Sequence, residues 1–492
     1  MQPVPHRNDP RSGAPAGAPD AALAADVIIV GAGVTGCAMA AALADGTRRV
    51  LVLEARKGHK PRFAGELIHP TGAQVLDDLG FLPTLRAFGG VDVDGFAVVK
   101  APGREPTCLP YREIGQHIPA ARPTGFAMEH RDLVEGMRHE VMRRPGVEIR
   151  FDHKVEEVLR DASGRACGVR TEGGPLYARL VLGCDGRHSK IRPLLGLPEK
   201  ARLVSFSVAM RLPGAAHLLP RPGYGHIFLG AWGPMLVYPI GGPEGRNDAR
   251  GCFDVTSDLS GGPKGAAKLL REEYAQHLPE ALRTELLASL DREPVQIAAN
   301  EAIRTDRAVL PGAAIVGDAG GCSHPLTATG MTVGFTDALR LGRLLRDAGR
   351  FTDPVRVDEA LRRYERERYR FVRAREILAD ALYEVFRAAE PGTRAIREGI
   401  FRYWEGSQGA RARSMALLSG ADSRPASFLR EYLTVCGTST SAVLRGDTGP
   451  SRDEKATVRE RAESLVGLGN KGFEKLRMVL RDVRQEVARA VS

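Results

Sequence analysis

The chain has 492 residues, a formal net charge of +10, 43% hydrophobic residues and 26% charged residues. This composition is ordinary for a globular protein and excludes a fully disordered chain or one with many membrane spans. No stretch has the roughly 20 apolar residues that cross a bilayer, and no array of aromatic and basic residues indicates nucleic-acid binding. The seven cysteines form no CxxC pair. We therefore expect reduced thiols, no disulfide framework and no metal site.

A glycine-rich turn follows the first apolar run. Residues 25–30 (ADVIIV) predict a β-strand, residues 31–36 read GAGVTG, and residues 37–46 (CAMAAALADG) have helical composition. A strand, a tight turn and a helix in this order are typical of a Rossmann-type dinucleotide site.

Each glycine of the turn has its own expected task. Gly31 permits the turn, Gly33 lets a pyrophosphate approach the backbone, and Gly36 allows close helix packing. The free N–H groups of the helix start attract the anion. A second predicted strand, residues 49–53, ends at Glu54, whose carboxylate is placed to accept hydrogen bonds from an adenosine ribose. These features predict a dinucleotide without separating FAD from NAD.

Two later segments point to FAD. Residues 181–192 (VLGCDGRHSKIR) contain Asp185, and residues 313–319 (AAIVGDA) end near Asp318. Together with the first turn they resemble the single-chain FAD monooxygenases related to p-hydroxybenzoate hydroxylase. The resemblance implies that the first segment lies near the pyrophosphate and that the second holds the ribitol chain of the flavin.

The chemistry of the second segment suits that role. Asp318 follows a predicted buried strand, so its carboxylate can fix a polyol hydroxyl in an apolar crevice. Gly330 and Met331 then open a predicted helix, whose N–H groups would face the pyrimidine edge of the flavin.

Within that group the chain is most similar to squalene epoxidase, from about residue 26 to about residue 436. The similar stretches are RFAGELIHPTGAQVLDDLGF, GPMLVYPI, HPLTATGMTV, LADALYEVFRA and ALLSG. The resemblance implies flavin contacts from Val34, Thr35, Glu54, Arg62, Leu67, Arg131, Val155, Asp318 and Met331. Arg62 and Arg131 are permanent cations suited to the pyrophosphate.

The chain departs from squalene epoxidases at two positions. A Gln and a Tyr that pair in that family are His69 and Phe96 here, and these two side chains cannot make the same hydrogen bond. We therefore expect squalene to be only one candidate substrate, and a bacterial relative that lacks the hydrophobic C-terminal anchor of the eukaryotic enzymes. His69 either donates a hydrogen bond to flavin or peroxide, or is a satisfied buried histidine. Tyr238 either lines an apolar substrate pocket or packs in the core.

The resemblance implies an FAD-dependent monooxygenase that uses O2 and NAD(P)H. Through a C4a-hydroperoxyflavin it would epoxidise or hydroxylate a lipophilic, alkene-bearing substrate of secondary metabolism, such as a terpenoid or polyketide. The alternatives are an aromatic-ring hydroxylase of the same group and an isoprenoid-chain flavin reductase or desaturase. NADPH either binds this chain transiently or reduces it through a separate reductase.

We expect an α/β protein with a Rossmann-type FAD-binding domain, an α+β substrate region and a helical C-terminal region. The predicted parts are a flexible leader (1–22), a discontinuous FAD-binding domain (23–200 and 300–350), a substrate-binding sheet domain (201–299), a helical cap (351–436), a linker (437–456) and a basic amphipathic helix (457–492). In that last helix Phe473 and Leu480 belong to the apolar face, and Lys475 lies among the basic residues. The helix packs on its own protein or a second subunit, or it contacts an anionic membrane surface. The expected location is cytoplasmic, or peripheral on the inner membrane surface.

Overall fold

The computed structural model describes residues 23–58, 63–230, 232–242, 245–256, 259, 261–446 and 457–491. The predicted leader and Arg62 lie outside the described residues, and so does the second half of the predicted linker.

Strands form four sheets in the described residues. In chain order the strands are β1 (Val27–Val30), β2 (Val50–Leu53), β3 (Leu67–Ile68), β4 (Val91–Val93), β5 (Gly95–Val99), β6 (Thr107–Pro110), β7 (Gly125–Ala127), β8 (Val147–Arg150), β9 (Val155–Arg160), β10 (Ala166–Thr171), β11 (Gly174–Tyr177), β12 (Leu180–Gly183), β13 (Glu199–Leu212), β14 (Tyr224–Leu229), β15 (Pro234–Gly242), β16 (Arg246–Val255), β17 (Gln296–Thr305), β18 (Val309–Leu310), β19 (Ala313–Ile315) and β20 (Gly321–Cys322).

Helices connect these strands and then make up the C-terminal third. They are α1 (Val34–Leu43), α2 (Pro70–Asp78), α3 (Leu82–Ala87), α4 (His130–Met142), α5 (Ile191–Leu194), α6 (Gly262–Leu269), α7 (Glu280–Arg292), α8 (Gly330–Arg346), α9 (Pro354–Arg387), α10 (Pro391–Gly406), α11 (Gln408–Ser419), α12 (Pro425–Arg445) and α13 (Val458–Val491).

The first sheet has the order β18-β19-β12-β1-β2-β8, and its pairs from β19 to β8 are parallel. Its central strands β1 and β2 are buried at every residue, as expected for a parallel sheet covered on both faces. Helices α1 and α8 pack against each other beside it. The predicted Rossmann-type fold is confirmed, and α8 begins at Gly330 as predicted.

The second large sheet has eight strands in the order β20-β17-β13-β16-β15-β14-β5-β6. The sheet predicted in the middle of the chain is present, but its extent differs from residues 201–299. Strand β13 begins before residue 201, and strand β17 ends after residue 299. Strands β5 and β6 come from the preceding region of the chain and join this sheet because β5 pairs in parallel with β14. Smaller sheets β11-β10-β9 and β3-β7-β4 flank the two large ones.

The helical C-terminal region begins where the sequence predicts it. Asp353 accepts hydrogen bonds from the backbone N–H groups of Val355 and Arg356 and so caps α9. The predicted linker start at residue 437 is wrong, because α12 continues to Arg445. The Thr and Ser side chains there bond to carbonyls of the preceding turn, as Ser439 Oγ does to Val435 O at 2.7 Å, so their hydroxyl groups are satisfied within the helix.

Helix α13 packs against α9, α10 and α12. Its buried face includes Leu468, Val479 and Lys475, whereas Phe473 and Leu480 are more than half exposed. Lys475, one of the basic residues of the predicted amphipathic helix, is buried, and its Nζ lies 3.0 Å from Glu384 Oε1. Across the part of the chain that the structure describes, no helix combines the length and apolar composition needed to cross a membrane.

Candidate functional site

The glycine-rich turn joins β1 to α1. A Cβ on Gly36 would lie 1.8 Å from the carbonyl oxygen of Gly31, and one on Gly31, at φ +103°, would lie 2.7 Å from Cys184 O. Protein packing therefore requires both glycines. A Cβ on Gly33 would meet no atom within 4 Å. Helix α1 has no side-chain cap at its start and no acidic residue in its first turn, which suits an anion in front of Gly33.

Glu54 is fixed beside this turn. Its Oε2 accepts the Ala32 N–H at 3.0 Å and lies 3.3 Å from an Arg138 nitrogen, while Arg138 Nε donates to Ala32 O at 2.7 Å. The predicted Arg131 side chain is 62% exposed and pairs with Glu135 of the same helix at 3.1 Å. The guanidinium that contacts the turn thus belongs to Arg138, two helical turns further along α4.

Asp185 holds its own segment together. Its Oδ1 accepts from Ser189 Oγ at 2.6 Å, and its Oδ2 accepts from the backbone N–H groups of Lys190 and Ile191 at 2.6 and 3.1 Å. The segment passes directly beside Gly31. Asp185 therefore shapes the wall of the glycine-rich turn.

Asp318 lies in a turn beside the start of α8. A Cβ built on Gly330 would lie 3.5 Å from Asp318 Oδ1, and a Cβ built on Gly65 would lie 3.3 Å from Met331 Cε. Thr35 Oγ1 lies 2.4 Å from the equivalent point on Gly334, so the first turn of α1 touches α8. The structure thus brings both helix starts together.

A buried ion pair contacts the backbone next to Asp318. Arg368 Nε lies 2.8 Å from Asp337 Oδ2, and a second Arg368 nitrogen donates to Gly317 O at 3.1 Å. Sequence reasoning did not find this pair, because both residues lie in ordinary amphipathic helices.

Two further predicted flavin contacts are apolar and buried. Val155 begins β9 and is 6% exposed within the nucleotide-side core. Leu67 is 3% exposed and packs in a different core, with Phe96 and the C-terminal helices. These two residues therefore belong to different hydrophobic cores.

The residues around these helix starts fit FAD. Gly33 and the α1 N-terminus would hold the pyrophosphate and Glu54 the ribose. Asp318 would hold the ribitol chain, and the start of α8 the ring edge. Helix α8 has no acidic residue in its first turn and no side-chain cap, so its N–H groups are suited to an electron-rich ring. The described residues contain no group of three or more potential metal ligands.

His69 is completely satisfied by protein partners. Its Nε2 lies 2.7 Å from Thr327 O, so Nε2 donates, and its Nδ1, 2.8 Å away, accepts from the Tyr111 hydroxyl. Burial lowers the pKa of His69 to about 3, with Arg375 acting in the same direction. Of the two interpretations of His69, the structure favours the satisfied buried histidine. Tyr111, which sequence reasoning missed, is its partner, and the Phe96 ring packs 5.8 Å away.

Tyr238 belongs to a buried polar cluster. Its hydroxyl donates to Glu66 Oε2 at 3.1 Å, and Arg250 binds both Glu66 oxygens at 2.8 and 2.7 Å. Burial raises the pKa of Glu66, and Arg250 opposes that shift. The cluster ties the segment before β3 to β15 and β16. Tyr238 is absent from the lining of the cavity described next.

An apolar cavity of about 90 Å³ lies between the large mixed sheet and helices α9 to α12. Phe96 of β5 and Leu326, in the turn just before α8, line the cavity, and Leu382, Trp404 and Tyr432 are among the helical lining residues. A carboxylate in the lining, Glu431, is bonded by Arg413 Nε at 2.9 Å and by the Tyr403 hydroxyl. Its mostly aliphatic and aromatic lining with a few polar groups has the polarity of a small-molecule site.

Comparison with protein-family models identifies two matches. The squalene epoxidase model matches residues 177–450, and a model of NAD(P)-binding Rossmann-like domains matches residues 29–88. The chain is 30% identical over 431 residues to squalene epoxidase erg1 of Aspergillus fumigatus, covering 86% of this chain and 87% of that protein. It is 30% identical over 420 residues to squalene epoxidase 2, mitochondrial, of Arabidopsis thaliana, covering 83% and 69%.

Solved structures share the fold. The p-nitrophenol 4-monooxygenase PnpA of Pseudomonas putida superposes with a TM-score of 0.67 at 21% identity, covering 81% of this chain and 98% of that one. Klebsiella pneumoniae HpxO, complexed with FAD and uric acid, gives a TM-score of 0.66 at 22% identity, covering 81% and 97%. The family match, the fold and the residues around both helix starts lead to one conclusion: the chain belongs to the squalene epoxidase family of FAD-dependent monooxygenases.

Proposed function

We propose that this FAD-dependent monooxygenase, with NAD(P)H as electron donor, epoxidises or hydroxylates a lipophilic, alkene-bearing molecule bound in the apolar cavity. The observation that carries the proposal is the position of that cavity. Phe96 and Leu326 line it, and Leu326 lies in the turn just before α8, where the flavin ring edge is predicted.

The apolar lining of the cavity supports a lipophilic substrate. Aliphatic and aromatic side chains such as Leu109, Ile227 and Phe386 offer contact area without charge, so the free energy of binding comes from burial of an apolar chain. The bound chain would place one double bond at the Phe96 end, and the dry walls would exclude water from the reacting atoms. When bound, FAD supplies activation of O2, and the protein positions the alkene.

The proposed substrate class rests on the polarity of the lining. A flexible isoprenoid or polyketide chain suits an apolar lining of aliphatic and aromatic side chains better than a compact polar ring does. Squalene is one candidate. The relatives that carry squalene epoxidase in their names are 27–30% identical, which leaves room for a substrate of secondary metabolism.

The direct test is isotopic. Purified protein with FAD and NADPH is incubated under ¹⁸O₂ with squalene, other polyprenes and unsaturated polyketide chains, and products are examined by mass spectrometry. One labelled oxygen per product molecule is expected. A product without label would instead indicate a reductase or desaturase, and selective turnover of phenols would indicate an aromatic-ring hydroxylase. Activity with NADPH alone would separate direct reduction from dependence on a partner reductase.

We also propose a peripheral contact with the inner membrane surface of a cytoplasmic bacterial enzyme. Val466, Phe473 and Leu480 are exposed on α13 at heptad spacing, and Arg477 stacks on the Phe473 ring, a combination typical of interfacial helices. Replacing the three apolar residues by Ser should abolish sedimentation with anionic liposomes. Equal sedimentation of the variant and the native chain would contradict the contact.

A further inference from the structure

Helix α9 carries a buried cation that the proposed function does not use. Arg375 is 4% exposed, and one of its terminal nitrogens donates to Leu417 O at 2.5 Å and to Leu418 O at 2.7 Å. Its guanidinium fits beside Gly420 only because that residue has no Cβ, which would lie 2.3 Å from Arg375 Nη1. The chain therefore makes specific room for this charge.

The charge has no carboxylate partner among the described residues. Two other buried arginines, Arg250 and Arg368, each bind a buried carboxylate. The hydrogen bonds given for Arg375 go to carbonyl oxygens, its guanidinium lies over the Phe371 ring at 5.6 Å from the centroid, and its Nη1 has no hydrogen-bond partner within the described parts of the chain. Burial lowers its pKa to about 10, and the group therefore remains charged at neutral pH. A buried ion without a counter-ion is costly in a folded protein.

Capping accounts for part of this arrangement. Leu417 and Leu418 lie in the last turn of α11, where carbonyls carry partial negative charge. That contact satisfies one nitrogen and leaves Nη1 unpaired. A structural cap could also be made by a neutral or exposed side chain at lower cost, so capping alone does not account for a buried charge.

The position of Arg375 indicates which anion. Helix α9 packs against the turn formed by Pro325–Thr327, which leads directly into α8. The field of Arg375 acts on His69, whose Nε2 donates to Thr327 O in the same turn. The cation therefore lies behind the cavity wall, because Leu417 and Leu418, whose carbonyls it binds, line the cavity together with Leu326 of that turn.

We propose that Arg375 raises the reduction potential of the bound flavin by stabilising the negative charge that the ring gains when it is reduced. The reductant is NAD(P)H, which transfers a hydride, meaning two electrons and one proton, and leaves as NAD(P)⁺. The ring changes from neutral to anionic, so the buried guanidinium favours the reduced state. The inference rests on FAD as the cofactor and is independent of the identity of the substrate.

The test compares midpoint potentials of the FAD-loaded enzyme by dye-equilibrated reduction. Arg375→Met should make two-electron reduction at least tenfold less favourable, a shift of about 30 mV to lower potential. Arg375→Lys, which keeps the charge, should stay within about threefold of the native enzyme. Arg363→Met is the matched control on the same helix, because Arg363 is 62% exposed, and it should leave the potential unchanged.

Arg375→Gln keeps an amide donor for Leu417 O and serves if the Met variant does not fold, with FAD content and thermal melting as checks of folding. A native-like potential in a folded, FAD-loaded Met or Gln variant overturns the proposal. So does an equal fall in the Lys variant, since geometry and not charge would then be responsible. Failure of the native chain to bind FAD would instead contradict the assignment of FAD as the cofactor.

Discussion

The nucleotide-side half and the cavity half of this molecule are built in different ways. The first relies on backbone: a glycine turn, two helix N-termini and carboxylates at strand ends, each close in sequence to its neighbours. The second relies on side chains from remote segments, with Phe96 on β5 facing Leu382 on α9 across the same cavity. Backbone sites leave local patterns in a sequence, whereas cavities assembled from remote side chains do not.

The largest effect is expected from breaking the Glu66–Arg250 ion pair, which joins the two halves. Replacing Arg250 with Met leaves the Glu66 carboxylate buried without its counter-ion, which should reduce the free energy of unfolding by about 3–5 kcal/mol. Urea unfolding measures the loss. The double variant with Glu66→Met should recover much of the stability, and a single variant as stable as the native chain would show that the halves are joined elsewhere.

The second test concerns pH on the cavity side. His69 is neutral in the folded chain, with a pKa of about 3, against about 6.5 when unfolded. Below pH 6.5 the unfolded chain binds a proton that the folded chain does not, so stability falls as the pH drops. Between pH 6.0 and pH 4.0 this loss should reach about 2–3 kcal/mol.

Urea titrations of the native chain and of His69→Gln, measured at both pH values, isolate this contribution. The variant should lose less stability on acidification, since it has no imidazole to protonate. Parallel losses in the two proteins would place the titrating group elsewhere.

The third test separates the two kinds of glycine in the turn. Gly36→Ala forces a Cβ against Gly31 O, so it should cost about 1–3 kcal/mol or more and abolish FAD retention. Gly33→Ala has open space and an ordinary φ of −80°. It should melt like the native chain yet bind FAD more weakly, as measured by flavin absorbance of the purified protein. Equal melting of both variants would contradict the packing role of Gly36.

The smallest expected effect is on substrate use. Ala381 lines the cavity from α9, and Ala381→Trp should fill part of it and lower kcat/KM for long apolar substrates about tenfold, with FAD content unchanged. Val355→Trp, at a position on the same helix that is 69% exposed, is the control. An unchanged kcat/KM in the Ala381→Trp variant would show that the substrate does not bind in this cavity.

The sequence predicted the nucleotide half well and the cavity half poorly. Spacing located the glycine turn and Glu54, and the family resemblance added the helix start at Gly330, because each depends on a few neighbouring residues. Tyr111 and Arg138 were missed, since hydrogen bonds to residues 42 and 106 positions away show no local pattern. The buried Lys475–Glu384 pair was also missed, because the spacing within one helix does not reveal a partner on another helix.

The route of the chain through the large mixed sheet has a consequence for cooperativity. Strands β5 and β6 lie between segments of the nucleotide side, yet they complete the far edge of the sheet beside β14. Neither half is therefore a contiguous piece of polypeptide, and neither can close its sheet alone. The enzyme should unfold as one unit, and fragments cut at residue 199 should remain unfolded unless both are present together.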